Sequence, residues 1–125
     1  MTENWTLTDG GPMVPADEAV AELRRRTDAG AHESWLTSTD GRSLAFVTNT
    51  ERAMVMLLAG EGDPGEHACD PAAGEEWSDG FVLANGQDDE YPDTDTVPVE
   101  EAHRIVHHIV AHGCPPADAA WTVDR

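Results

Sequence analysis

The hydrophobic and polar residues of this chain alternate with two different periods, and each period predicts a type of secondary structure. The segment from about Asp17 to Asp28 has the helical period, with Asp17 as its cap and Gly30 at its end. A second helix is predicted to carry Pro98 in its first turn and to end at Gly113. Its apolar stripe has the spacing of one helical face and consists of Ala102, Ile105, Val106, Ile109 and Val110.

The other segments show the alternation of strands, separated by turn residues. Ser34–Thr39 and Arg42–Thr48 flank Asp40-Gly41, a dipeptide that predicts a two-residue hairpin. Ala53–Leu58 is apolar on both faces, which predicts a central strand covered by helices or a second layer. Shorter strands are predicted around Trp5 and Leu7 and at 66–69, 80–84, 87–91 and 120–123, with Asn85-Gly86 as a turn and 74–79 as a loop.

These elements predict one α+β domain over residues 1–125. An antiparallel sheet of about five to seven strands would carry two main helices packed on it. The chain has no internal repeat or low-complexity linker, and its apolar runs fall short of the roughly 18 residues that cross a bilayer. Its N-terminus does not have the pattern of a signal peptide, so the expected location is the cytoplasm. Cys69 and Cys114 match no disulfide framework or metal spacing.

The charge of the chain is unusual and unevenly distributed. It contains 25 acidic residues but only seven arginines and no lysine, which gives a net charge of -18. Residues 61–101 alone carry 14 of the acids and no arginine. Such a segment repels nucleic acid and anionic membranes, and it attracts a basic protein surface. An acidic composition that only maintains solubility is the alternative interpretation.

Residues capable of metal or cofactor chemistry are present, but their spacing does not match known sites. His103 with His107 and His108 with His112 are four apart on the second helix, yet neither pair has the glutamate of an H-E-x-x-H site. Their predicted position is the boundary of the apolar stripe. The carboxylates of 88–95 lack the central glycine of a calcium loop. We therefore expect no metal and no cofactor.

Nucleophilic catalysis has one candidate. Cys69 follows His67 by two residues, so both side chains lie on the same face if the segment is extended. A small cytosolic enzyme that uses this pair is therefore an alternative to a binding protein. The serines lack a G-x-S-x-G frame, and the glycines of 60–65 lie in an acidic stretch that would repel phosphate.

Several motifs resemble those of the Imm1 immunity proteins, including actinobacterial members. The central motif is Gly80-Phe81-Val82-Leu83-Ala84-Asn85-Gly86-Gln87, continuing through Glu90-Tyr91-Pro92. The tail is also similar, with Val97-Pro98, Glu101-Ala102, Gly113, Pro115-Pro116 and Trp121, as is the loop Gly62-Asp63-Pro64-Gly65. The resemblance covers roughly residues 17–123, and most of these positions shape a fold and perform no chemistry.

The resemblance implies an immunity protein of a bacterial polymorphic toxin system. Such a protein binds and neutralises a cognate secreted toxin domain, which in this family is typically a nucleic-acid deaminase. The charge is consistent with this, because an acidic surface could occupy the toxin's basic substrate cleft. A general acidic adaptor or nucleic-acid mimic is the remaining alternative.

From charge and placement, the candidate toxin-binding residues lie in two segments. They are Glu75, Glu76, Trp77, Asp79, Asp88, Asp89, Glu90, Tyr91, Asp93 and Asp95. The two aromatic residues are candidate anchors, because aromatic side chains often carry the binding energy of an interface. We expect this surface to contact neither nucleic acid nor membrane directly.

Overall fold

In the computed structural model, which describes residues 3–7 and 13–124, an antiparallel sheet separates two helices from a β-hairpin. This arrangement confirms the predicted α+β class. The helices are α1 (Ala16–Asp28) and α2 (Val99–His112), and a short 3-10 turn spans Asp93–Asp95. The strands are β1 (Trp5–Leu7), β2 (Glu33–Ser38), β3 (Ser43–Thr48), β4 (Arg52–Leu58), β5 (Glu66–Ala68), β6 (Trp77–Val82), β7 (Asp88–Pro92), β8 (Val97–Pro98) and β9 (Trp121–Val123).

The main sheet has the strand order β1-β2-β3-β4-β5-β9, and β8 pairs with β4. The prediction that Ala53–Leu58 forms a central strand is confirmed, since β4 pairs with β3 on one side and with β5 and β8 on the other. Strands β6 and β7 form a separate two-stranded sheet.

The core lies between the helices and one face of the main sheet. All five residues of the predicted stripe on α2 are buried, as are Ala19 and Leu23 of α1. They belong to one apolar cluster with Leu36, Phe46 and Val55 of the sheet. Burial of this amphipathic face stabilises each helix more than its intrinsic propensity does.

Both predicted two-residue turns are wrong, because each loop has three residues. Thr37 pairs with Ser43, and the amide of Ser38 donates to the carbonyl of Arg42. In the second hairpin the amide of Leu83 donates to the carbonyl of Gln87. The third loop residue is Gly41 or Gly86, with φ of 84° or 89°. A three-residue loop needs a left-handed residue at that position, so the dipeptide marks the end of a longer loop.

Three predicted boundaries also differ from the structure. Pro15 is the N-cap of α1, so Asp17 lies in the first turn, and Pro98 likewise precedes α2. A proline N-cap cannot accept a side-chain hydrogen bond from the first amides of the helix. It does, however, lack the N–H group that would be left unpaired at the start of a helix. Trp77 begins β6, so the predicted loop at 74–79 ends earlier than expected.

His103 is buried, in contrast to its predicted position at the edge of the stripe. It is 6% exposed and stacks on Phe46, with ring centroids 5.4 Å apart. Neither ring nitrogen has a hydrogen-bond partner among the described residues, although Nδ1 lies 3.6 Å from the Glu100 carboxylate. Burial is the main reason that the pKa of His103 lies below its ordinary value of 6.5, and the positive charge of Arg24 lowers it further. The negative charge of Glu100 opposes this shift.

This burial predicts an acid-sensitive fold. The unfolded chain takes up a proton near pH 6.5 that the folded chain does not, so stability is complete above that pH and falls as the pH decreases. The limiting slope for one proton is about 1.4 kcal/mol per pH unit. We expect His103→Phe to reduce the slope by up to that amount in denaturation curves between pH 7 and 5. The exposed control His112→Asn should keep it, and an unchanged slope in His103→Phe would contradict the assignment.

Candidate protein-binding surface

The hairpin formed by β6 and β7 has a bulge in its middle. Ser78 pairs with Tyr91 and Phe81 pairs with Asp89, so Asp79 and Gly80 together oppose Glu90. Gly80 has a φ of 86°, a conformation that glycine adopts without the steric cost of a Cβ atom. The bulge adds one residue to β6 and so shifts the alternation of its side chains. As a result, Ser78 and Phe81 lie on the inner face of the hairpin, and Trp77 and Val82 lie on the outer face.

The outer face of the hairpin is exposed and combines apolar and acidic side chains. We define it by Trp77, Asp79, Val82, Asp88 and Glu90, all of which are exposed. Trp77 is 60% exposed and Val82 is 36% exposed, which makes them two of the few large apolar side chains at the surface. Glu75 and Glu76 are also exposed, in the segment that leads into Trp77.

The inner face is apolar at its centre. Phe81 is fully buried, and its ring meets the ring of Tyr91 edge-on at a centroid distance of 4.9 Å. Burial and the adjacent Asp89 raise the pKa of Tyr91 to about 12. The phenol therefore stays protonated and donates to the Asp89 carboxylate at 3.1 Å. Tyr91 and Asp89 thus support the hairpin from inside.

Polar bonds connect the middle and the tip of the hairpin to the main sheet. At the bulge, the Asn49 side-chain amide donates to the carbonyl of Asp79 at 2.9 Å. At the tip, the amide of Ala84 donates to Glu33 at 2.8 Å, and Glu33 also accepts from the indole of Trp35. The hairpin is therefore attached to β2 and to the β3–β4 loop, which fixes the direction of its outer face.

The base of the hairpin is held through the 3-10 turn. Asp93 accepts from the Ser78 hydroxyl at 2.6 Å, and its own amide donates to the carbonyl of Glu76. Arg52 of β4 donates to the carbonyls of Asp93 and Thr96, to the Thr96 hydroxyl and to the Asp70 carboxylate. Arg52 thereby links the main sheet to the start of β6, where Trp77 lies.

The acids of the hairpin are not neutralised within the part of the chain that the structure describes. The six described arginines all form ion pairs, and each of their partners lies elsewhere. These pairs are Arg24–Glu100, Arg25–Glu22, Arg26–Glu22, Arg42–Glu3, Arg52–Asp70, and Arg104 with Glu101 and Asp118. None of these ion pairs of the six arginines therefore involves an acid of the hairpin, and these acids keep a local excess of negative charge relative to the described arginines.

The candidate residues inferred from sequence fall into three groups in the structure. Trp77, Asp79, Asp88 and Glu90 share the outer face, with Glu75 and Glu76 adjoining it. Asp89 and Tyr91 lie on the inner face and bond to each other. Asp93 and Asp95 belong to the 3-10 turn, where Asp93 accepts from Ser78 and Asp95 contacts His67. The first group is exposed on one side of the hairpin, whereas members of the other two groups bond within the fold.

Sequence reasoning did not select Val82, Phe81 or Arg52. Alternation around a buried Phe81 could have placed Val82 on the outer face. Counting from Trp77 would instead have placed Val82 on the inner face, because the bulge in β6 shifts the alternation by one residue. No local signal could have identified Arg52, because its partners are 18 to 44 positions away.

The Cys69–His67 pair is not arranged as a catalytic dyad. His67 Nδ1 lies 2.7 Å from Asp124 and its Nε2 lies 3.1 Å from Asp95, so carboxylates engage both nitrogens. The sulfur of Cys69 instead accepts from the Thr122 hydroxyl at 3.3 Å. A base that activates a thiol needs a free nitrogen directed at the sulfur, and this geometry does not supply one.

Residues with metal-ligating side chains do not converge within the described part of the chain. No group of three or more histidines, cysteines or carboxylates is arranged there to hold a metal ion.

Among the described helices, none combines the length and apolarity needed to cross a bilayer.

The comparisons with known proteins assign no family. The chain matches no protein-family model and no curated protein sequence.

Proposed function

We propose that this chain is a binding protein that neutralises a cognate secreted toxin domain. Its outer hairpin face would dock on a basic surface of that domain and exclude the substrate. In this function the protein acts in the cytoplasm of the producing cell, without a cofactor and without catalysis. The observation that carries the proposal is the outer face itself, where an exposed tryptophan stands among acids that no described arginine neutralises.

Energetic considerations favour a protein partner for this surface. Exposed aromatic residues gain more free energy on burial than most side chains, and they are enriched among the residues that dominate interfaces. Uncompensated acids around such an anchor accelerate association with a basic partner and disfavour acidic ones. The hairpin is also held by bonds at its base, bulge and tip, so little conformational entropy would be lost on binding.

The toxin as partner is supported by the resemblance to the Imm1 proteins. Several residues that carry this resemblance shape the hairpin: Gly80 forms the bulge, Phe81 fills the inner face and Gly86 closes the loop. A nucleic-acid deaminase fits the charge, because its substrate strand needs a basic groove that leads to the reactive centre. An acidic hairpin would compete with nucleic acid for that groove.

Charge neutralisation tests this proposal. The variant Glu75→Gln, Glu76→Gln, Asp79→Asn, Asp88→Asn and Glu90→Gln removes five negative charges and retains the side-chain shapes. Its association with the cognate toxin domain should be about tenfold slower or more at low salt, with a weaker salt dependence. Stopped-flow measurements at several salt concentrations give both quantities, and growth of cells that express the toxin reports protection.

The control variant neutralises five exposed acids away from the hairpin, namely Asp17, Glu18, Asp28, Asp40 and Glu61. It should associate at nearly the wild-type rate. Equal rates for both variants would overturn the role of the hairpin. Failure of the wild-type chain to protect cells would overturn the immunity function, and binding to other basic proteins would then favour a general acidic adaptor.

A further inference from the structure

Trp77 occupies a position that has the chemistry of an arginine-binding site. It lies at the first position of β6, paired with Pro92, and most of its indole faces solvent. Its neighbours on the outer face are Asp79, two residues along the same strand, and Glu90, diagonally across the hairpin. An aromatic ring therefore stands beside carboxylates that no described arginine occupies.

Arginine fits such a site better than lysine does. A guanidinium is planar and weakly hydrated, so it can stack on an indole while its edge donates two hydrogen bonds to a carboxylate. An ammonium group is compact and strongly hydrated, and it cannot make both contacts with the same geometry.

An arginine that contacts both a tryptophan ring and a carboxylate already occurs within this protein. The guanidinium carbon of Arg42 lies 5.5 Å from the ring centre of Trp5, and its nitrogens bond to the Glu3 carboxylate. This pairing raises the pKa of Arg42 and lowers that of Glu3. At that site an arginine already occupies the tryptophan and the carboxylate, whereas no arginine of the described residues occupies Trp77 and the carboxylates of the hairpin.

We propose that Trp77, with the outer-face carboxylates beside it, binds an arginine side chain of the partner protein and discriminates against lysine at that position. This inference rests on the proposed function in that it takes the outer face as the docking surface. It specifies the partner further, since the basic surface must present at least one exposed arginine with a free stacking face.

Model peptides test this recognition without the toxin. A hexa-arginine and a hexa-lysine peptide carry equal charge, and calorimetric titration at low salt gives the affinity of each. We expect the wild-type chain to prefer the arginine peptide by about two- to fivefold, the range of an exposed cation–π contact. The indole N–H resonance of Trp77 should shift with the arginine peptide more than with the lysine peptide.

The Trp77→Leu variant should bind both peptides with similar affinity, because the charge attraction remains and the stacking is lost. The control Val123→Ala changes an exposed apolar residue of β9, outside the outer face, and should keep the preference for arginine. Equal affinities of the wild-type chain for the two peptides, or a preference that persists in Trp77→Leu, would overturn the inference. A preference for arginine without protection of toxin-expressing cells would overturn the immunity function and support the arginine site.

Discussion

Phe81→Ala is expected to destabilise the hairpin by about 3 to 5 kcal/mol, the usual cost of removing a buried phenylalanine ring. Phe81 is fully buried, and its ring is the edge-on partner of Tyr91. Its loss would leave a cavity between the hairpin and the main sheet, because the space of the ring would stay unfilled. The polar bonds at the base, bulge and tip would then contribute a larger part of the attachment of β6 and β7. Denaturant unfolding measures the global effect, and hydrogen exchange of the β6 and β7 amides measures the local one.

The same variant should weaken toxin binding, although Phe81 faces away from the outer surface. A loosened hairpin must be ordered again on binding, and this entropic cost reduces the affinity. The matched control is Val82→Ala at the next position, which removes an exposed side chain and should change stability by about 0.5 kcal/mol or less. Similar hydrogen exchange in the two variants would show that Phe81 does not hold the hairpin.

Arg52→Met is the second change for which we expect a large effect, with a loss of about 3 kcal/mol in the free energy of unfolding. The guanidinium of Arg52 donates to Asp70 at 2.8 Å, to the Thr96 hydroxyl at 2.7 Å and to two main-chain carbonyls. Methionine retains most of the apolar volume and makes none of these bonds. The partly buried Asp70 carboxylate would then lack its cation.

A double-mutant cycle separates the ion pair from the other bonds of Arg52. Asp70→Asn removes the charge and keeps the shape, so Arg52→Met combined with Asp70→Asn should cost less than the sum of the two single variants. Additive losses would show that the ion pair contributes nothing beyond each residue's other contacts. Faster hydrogen exchange at Ser78 in Arg52→Met would show that the effect reaches the hairpin base.

The elements that could be predicted from sequence are those whose signals are local. The stripe of α2 repeats along one helix face, and its five residues are all buried. The apolar run of β4 identified a central strand, because a segment apolar on both sides is rarely tolerated at an edge. The loops were predicted in the correct places but with the wrong length, since Gly41 and Gly86 mark only the last loop residue.

The candidate site could be predicted only in part. Charge counting located the acidic segment, but it could not distinguish Asp88 and Glu90, which face solvent, from Asp89, which accepts from Tyr91. That distinction depends on which side of the hairpin meets the main sheet. The burial of His103 also escaped prediction, because it depends on Phe46, which lies 57 positions earlier in the chain.

The acidic charge, the helical stripe and the strand pattern were therefore determined by the sequence itself, because composition and periodicity need no partner elsewhere in the chain. The tertiary structure decided which of the acids form a surface and which hold the fold. Arg52 connects β4 to the base of the hairpin, and Phe81 is buried on its inner face. Contacts between distant segments leave no periodic signal, so only the folded chain shows that Trp77 and its acidic neighbours face outward together.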